Sequence, residues 1–350
     1  MSSASRQRRR RLVVLPLIMV LVIAAAWSGI WFYAAHRAEA ALAGWRERGA
    51  SAGRNFSCGK GAIGGYPFRI ELSCREPAAD LASNDPPVML KASDFQLVAQ
   101  VYDPTLLTAE IGAPLTVTIA GAPPVHAAWT RAQVSLRGRP SAPEHASLLM
   151  QGASIGDPAS TAADNNLRAK RIETHARIAS GSANRQPIVD LAIELSGAEV
   201  PALRPLAAEP FDLSTAAVLR GLDNLRPLSI PARLRQLQSA GGRLEITSMR
   251  LRQGDMLAIA DGSLGLTADG RLDGKLNVTI AGFGAIMSKL VAQIGPAALN
   301  QASAGLSVAL GLIGRQTELE GRRALIVRLR FDAGVMYVGP LRVGELRPLF

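Results

Sequence analysis

Few residues in this chain have the type and spacing to do chemistry, and the clearest are its two cysteines, Cys58 and Cys74. An even pair so close in sequence, lying beyond an apolar segment that would carry it out of the cytoplasm, reads as one disulfide. The alternative is a pair of unpaired core thiols. No CxxC is present, and the histidines, His36, His126, His145 and His175, lie on separate segments without ligand spacing. Neither a thiol redox site nor a zinc site is expected. No G-x-S-x-G elbow places a serine nucleophile, and no G-x-x-x-x-G-K-[ST] loop cradles phosphates. Gly59-Lys60-Gly61 and Gly64-Gly65 read as hairpin backbone, and Asp94 and Asp103 as solvated acids of a strand face. Arg328 and Arg330 share one strand face. They would meet anionic lipid headgroups or simply face water. The chain is therefore not expected to be an enzyme, nor to hold a cofactor or a metal.

What must position these residues begins with Leu12–Tyr33, LVVLPLIMVLVIAAAWSGIWFY, a run without a charged residue. At about 1.5 Å rise per residue such a helix crosses the roughly 30 Å hydrocarbon layer of a bilayer. Arg6, Arg8, Arg9, Arg10 and Arg11 precede it and would hold the N-terminus on the cytoplasmic side. Trp27, Trp31, Phe32 and Tyr33 fall at the far end, at headgroup level, and Pro16 lies near the first turns. The alternative is a cleaved secretory signal, for which Ala38-Glu39-Ala40 loosely fits a cleavage site. The apolar run is longer than a signal's 7–15 residues and ends in bulky aromatics, so we read an uncleaved inner-membrane anchor with the bulk of the chain in the periplasm.

The formal charge of +11 does not point to nucleic acid. Of 39 basic residues five precede the anchor, leaving 34 against 28 acidic residues. That surplus is dispersed, with no basic block interleaved with aromatics.

After the anchor, residues 34–55 read as a helical stalk ended by Gly49, with Leu42 and Trp45 on one face. Phe56–Gly59 and Arg69–Ser73 read as hairpin arms with the turn at Gly64-Gly65-Tyr66-Pro67. Folding there sets Cys58 directly opposite Cys74. Period-2 segments follow at Phe95–Ala99, Leu115–Ile119, Ala132–Leu136 and Val189–Leu195, the sign of antiparallel sheet with one apolar face. Ala153–Asn166 reads as a loop and Leu167–Ser180 as a strand. Leu213–Arg220 reads as a short helix and Pro231–Ser239 as another, with Leu234 and Leu237 toward the core. Strands resume at Leu244, Met256–Leu266, Arg271–Ile280, Leu325–Phe331 and Val335–Val338. A helix is expected at Phe283–Leu299, and an irregular end after Val338. The expected organisation is a basic tail 1–11, a transmembrane helix 12–33, the stalk 34–55, a β-rich part 56–204, a helical interlude 205–240 and a second β-rich part 241–350 holding the helix 283–299. The fold class is mainly β (α+β): one anchor helix and an extended, twisted antiparallel sheet, grooved or closed, with a few capping helices.

GYPFRIELSC after a single anchor, Tyr102-Asp103-Pro104, ADGRLDGKLNVTIAG and the ending VGPLRVGELRPLF together resemble the alphaproteobacterial DUF2125 family, a domain of unknown function. More distantly they resemble the AsmA-like envelope proteins. The resemblance covers roughly 40 to 350 and implies an inner-membrane anchor with a periplasmic β-rich body. It carries over no catalytic residue. AsmA-like relatives imply envelope maintenance and movement of lipid along apolar β grooves.

The expectation is a protein that handles lipid, with inner-membrane lipid as its partner. Leu276, Val278, Ile280, Leu325, Val327 and Leu329 would form the apolar lipid-binding face, and Arg328 and Arg330 would meet headgroups. The competing reading is a non-catalytic scaffold with a closed core that binds another envelope protein.

Overall fold

The computed structural model describes residues 3–139, 142–156, 167–200, 209–226, 228–282 and 315–350, with side chains from Val14 onward. The expected helix 283–299 lies outside them.

A single helix, α1 (Ser3–Ser51), carries the apolar run and continues into the stalk. Its large apolar residues from Val14 to Ile23 are all exposed; Leu15 is 71% exposed. A core helix of a soluble protein would bury them, whereas a membrane span leaves them for lipid. Pro16 sits inside α1 rather than near its first turns, because the helix begins at Ser3. Gly49 does not end it. The helix ends at Ser51, followed by Gly53 with φ +69°. Gly49 instead lets the stalk approach β1 (Arg54–Gly64): a Cβ there would stand 2.9 Å from the Arg54 carbonyl oxygen.

The rest is antiparallel sheet. After β1 come β2 (Arg69–Leu81), β3 (Val88–Lys91), β4 (Asp94–Gln100), β5 (Leu106–Ile111), β6 (Leu115–Ile119), β7 (Val125–Ala128), β8 (Arg131–Arg139) and β9 (Ala142–Gly156). Then follow β10 (Leu167–Ser182), β11 (Arg185–Ala198), β12 (Phe211–Arg220), α2 (Ile230–Ser239), β13 (Arg243–Gln253), β14 (Met256–Leu266) and β15 (Leu272–Ala281). Four strands end the chain: β16 (Arg315–Leu319), β17 (Arg322–Asp332), β18 (Val335–Val338) and β19 (Leu341–Glu345).

In the first half of the sheet two strands are long enough to serve two partners on one edge. The first half of β2 pairs with β4 and its last residues with β3. Likewise β9 pairs with β8 along most of its length and with β7 at Ser154–Gly156. Between them the sheet divides into β4–β5–β8 and β3–β6–β7, and the two branches close a ring. Beyond β9 the order is single file, β10 through β15 and then β17, with β16 and β18 sharing the far edge of β17.

Three further expectations about secondary structure are corrected. Leu213–Arg220 is not a helix but the body of β12, paired on both sides. Leu213, Thr215, Ala217 and Leu219 alternate, and two ladders outweigh a modest helix propensity. Ala153–Gly156 belongs to β9, not to a loop; 157–166 lie outside the described residues. The C-terminal stretch contains a strand, β19, paired with β18. The helix at Pro231–Ser239 does form, with Ser229 as N-cap, but it buries no residue, so Leu234 and Leu237 are only half-buried.

The disulfide joins Cys58 and Cys74, but the register around it differs from the expected one. Cys58 stands opposite Pro77, and Cys74 opposite Gly61. Gly59 and Glu76 drop out of the pairing and Glu76 takes φ +53°, so both strands kink together. The bridge therefore crosses diagonally over Gly61, whose missing side chain leaves room: a Cβ there would lie 3.4 Å from Cys58 Sγ.

Candidate functional site: an apolar face that crosses thirteen strands

The ladder register fixes which side chains share a face. Starting at Ile63 and stepping across each partner gives Leu72, Leu97, Ala109, Val134, Leu148, Thr174, Ile193, Thr215, Met249, Ala260, Val278 and Val327. Apart from two threonines the row is apolar through thirteen strands. At about 4.8 Å per strand it extends on the order of 60 Å. Two parallel rows flank it. One runs Ala132, Met150, Ile172, Leu195, Leu213, Leu251, Ala258, Ile280, Leu325. The other runs Ile70, Ala99, Leu107, Leu136, Ala146, Ala176, Leu191, Ala217, Ile246, Gly262, Leu276, Leu329.

A bulge keeps the rows in phase. Between Ile246 and Met249 the register of β13 slips, and the Thr247 hydroxyl donates to the Ala216 carbonyl at 2.9 Å. Without the extra residue the period-2 rule would turn one of these two apolar side chains to the wrong face.

The opposite face is polar from β2 to β13. A row there reads Ser73, Gln96, Glu110, Gln133, Leu149, Glu173, Glu194, Ser214, Arg250, and beyond β13 it turns apolar, through Ile259, Thr279 and Ile326, beside the buried Leu257, Ala281 and Ala324. Arg131 reaches Glu110 at 2.6 Å, Arg177 reaches Asp190 at 2.7 Å and Arg220 reaches Glu245 at 3.0 Å. The Arg171 guanidinium, and after it His175, hold the Glu173 carboxyl below the ordinary range of a glutamate.

Most of the apolar rows are half-buried rather than buried, and Ile193 is 39% exposed. Near β1 the face is covered by the stalk, and there it encloses a cavity of about 400 Å³. Leu42 and Trp45 of α1 form its roof, and Phe56, Leu72, Leu90, Phe95, Ile111 and Leu115 line it. Trp45 packs on Phe56 with ring centroids 4.2 Å apart. The disulfide is part of the wall, because both Cys58 and Cys74 face the same side. Among the described residues, the only charged one on the lining is Arg46 of the stalk. Volume and apolar lining fall in the range of a small-molecule pocket.

The sequence-predicted apolar residues come together at the far end of the rows. Leu276 stands opposite Leu329, Val278 opposite Val327 and Ile280 opposite Leu325. Val327 is buried and the other five are half-buried. Arg328 and Arg330 project from the opposite face, exposed, and Arg330 lies 4.4 Å over the Tyr337 ring and 3.4 Å from Asp332. Arg6, Arg8, Arg9, Arg10 and Arg11 fall in α1, where only backbone is described.

Sequence reasoning missed the cavity. Its lining comes from α1 and six strands, and periodicity within each strand gives no sign of which strand faces which. His145 and His175, on separate segments, meet with ring centroids 5.8 Å apart on the polar face. Among the described residues no group of three or more metal-ligating side chains gathers.

A chain of alternating strands behind one long apolar helix matches the model of a bacterial family described as an uncharacterized protein conserved in bacteria, DUF2125, over residues 31–347. The chain belongs to that family. No curated protein and no solved structure matches it. The DUF2125 match begins at Trp31, and so takes in the stalk, the disulfide hairpin and all of the described sheet while leaving out most of the apolar run of α1.

Proposed function

We propose that this DUF2125 protein is a membrane-anchored periplasmic lipid-handling protein whose apolar sheet face holds acyl chains. The observation that carries the reading is the register itself: three adjacent apolar rows cross the strands without a charged side chain. An ordinary one-sheet domain needs one apolar face only where a second layer covers it. Here the rows lead from the cavity under the stalk to β17, and α1 tethers that cavity at the bilayer, where lipid is concentrated. Branched aliphatics and alanine line the rows, and each buried lipid methylene contributes about 0.8 kcal/mol. The resemblance to AsmA-like envelope proteins points the same way. The arginine cluster ahead of α1 and the disulfide behind it support a cytoplasmic N-terminus and a periplasmic sheet.

Native mass spectrometry of the full chain released from detergent tests the proposal. Phospholipid should co-purify, and Val278→Asp, in protein that stays folded by circular dichroism, should reduce it. Lipid-free protein that also fails to take up an added fluorescent phospholipid would overturn the reading in favour of a scaffold for another envelope protein.

A further inference from the structure

The turn that closes the first hairpin is bonded to the anchor. Trp27 Nε1 donates to the Pro67 carbonyl at 2.8 Å and Trp31 Nε1 to the Arg69 carbonyl at 2.8 Å. Ser28 Oγ and the Tyr66 hydroxyl are 2.8 Å apart. The rings mesh as well: Tyr66 meets Trp31 edge-on at 5.4 Å and stacks beside Phe32 at 6.1 Å, and Phe68 lies 6.2 Å from Trp27. Residues 66 to 69 thus have a fixed height on the helix.

That height is set by the length of α1. Counting 1.5 Å per residue from Arg11, Trp27 stands roughly 24 Å and Phe32 roughly 32 Å along the axis. A hydrocarbon layer roughly 30 Å thick ends between them. The hairpin tip therefore meets α1 where the distal headgroup layer lies.

The tip keeps large apolar surface uncovered at that level. Tyr66 is 55% exposed and Phe68 62%. The neighbouring turn adds Tyr102, 68% exposed, and is tied to the tip by the Val101 N–H donating to the Phe68 carbonyl at 3.0 Å. The chain has four tyrosines, four tryptophans and eight phenylalanines. Three of those tyrosines, Tyr33, Tyr66 and Tyr102, gather at this one level, with Trp27, Trp31, Phe32 and Phe68. Aromatic side chains with a polar tip are enriched where a protein meets headgroups. Arg69 follows, its side chain 58% exposed and paired to Glu71 at 3.0 Å, able to lay its stem on the apolar surface and keep its charge in the headgroup layer.

We infer that the two turns 65–68 and 101–105 form a second membrane contact, an aromatic wedge seated in the distal interface of the same bilayer that α1 crosses. The sheet is then fixed at the membrane by two attachments rather than swinging on one helix. Ile70, where one apolar row begins, and Leu72 of the central row follow the turn 65–68 along β2. The inference rests on α1 spanning a bilayer and not on the sheet carrying lipid.

Spin labelling of the full chain in phospholipid vesicles tests it. The disulfide leaves no free thiol, so single labels go on Phe68→Cys and on Gly64→Cys, where an added Cβ meets nothing within 4 Å. Leu21→Cys in the anchor and Ala268→Cys in the exposed β14–β15 turn are the references. The expected result at both tip positions is relaxation by oxygen well above that by a water-soluble nickel chelate, with a ratio several-fold over that of Ala268→Cys. A lipid-like Leu21→Cys with tip labels as wet as Ala268→Cys would overturn the wedge and leave the anchor standing. A wet Leu21→Cys would overturn both. Tip labels shielded from nickel without gaining oxygen, and only at high protein density, would assign the patch to a second copy of the chain instead.

Discussion

The sheet has two regions that the same alternating pattern builds differently. From β2 to β9 it divides, closes a ring and receives the stalk, so that apolar side chains from two branches and a helix face one another around a cavity. From β10 to β17 the strands follow in single file, and among the described residues the buried apolar cluster is small, Leu257, Ala281 and Ala324. The comparison teaches that strand pattern specifies a face, while strand length specifies enclosure. The kinked β2 outreaches β3 and β4, and β9 outreaches β7 and β8, so each can hold two branches side by side.

If the regions are separable, their stabilities should respond separately. The largest effect is expected in the proximal region. Cys58→Ser with Cys74→Ser releases a loop of this length and should cost about 3 kcal/mol. Hydrogen exchange should rise in β1 and β2 and stay unchanged in β13–β15. A uniform rise along the chain would make the sheet one cooperative unit and break the comparison.

Next comes a lesion in the distal region. Gly262 has φ +149°, and a Cβ there would lie 2.2 Å from the Lys275 carbonyl oxygen. Gly262→Ala should therefore cost about 1–3 kcal/mol, read as faster exchange in β14 and β15 while the disulfide hairpin keeps its protection.

Smaller still, Trp31→Phe removes the indole donor to the Arg69 carbonyl and should cost about 1 kcal/mol. The loss should show as faster exchange of residues 65–69 alone, sharpening the division at the point where helix and sheet join.

The smallest concerns the polar face. Glu173 has its carboxyl lowered from an ordinary value of 4.5, first by the Arg171 hydrogen bond and then by His175. A lowered folded pKa stabilises above the unfolded value, and the gain is lost as pH falls through the folded one. Wild type should lose about 0.5 kcal/mol below pH ~4.5 relative to Glu173→Gln, measured as the difference between their acid melting curves. Equal slopes would mean that the pair contributes nothing to the distal sheet.

Local signals in the chain were strong where a residue's neighbours in sequence decide its environment. The exposed apolar run of α1, β14 at Met256–Leu266 and β18 at Val335–Val338 fall where the pattern puts them. Leu213–Arg220 misled because alanines and leucines suit a helix as well as a strand, and only pairing on both sides chooses. The disulfide partners could be read from two cysteines, but not their offset, since the kink at Gly59 and Glu76 leaves no periodic mark.

By itself the sequence determined an apolar helix able to span a bilayer, a disulfide-bonded pair and a chain of alternating strands, because these depend on composition and on spacings of a few residues. Only the tertiary structure decided that the apolar faces line up in register across thirteen strands, that two long strands split the sheet around a cavity, and that the hairpin tip is bonded to the anchor. Those outcomes are set by which strand pairs with which and at what offset, contacts between residues far apart in the chain that no local periodicity encodes.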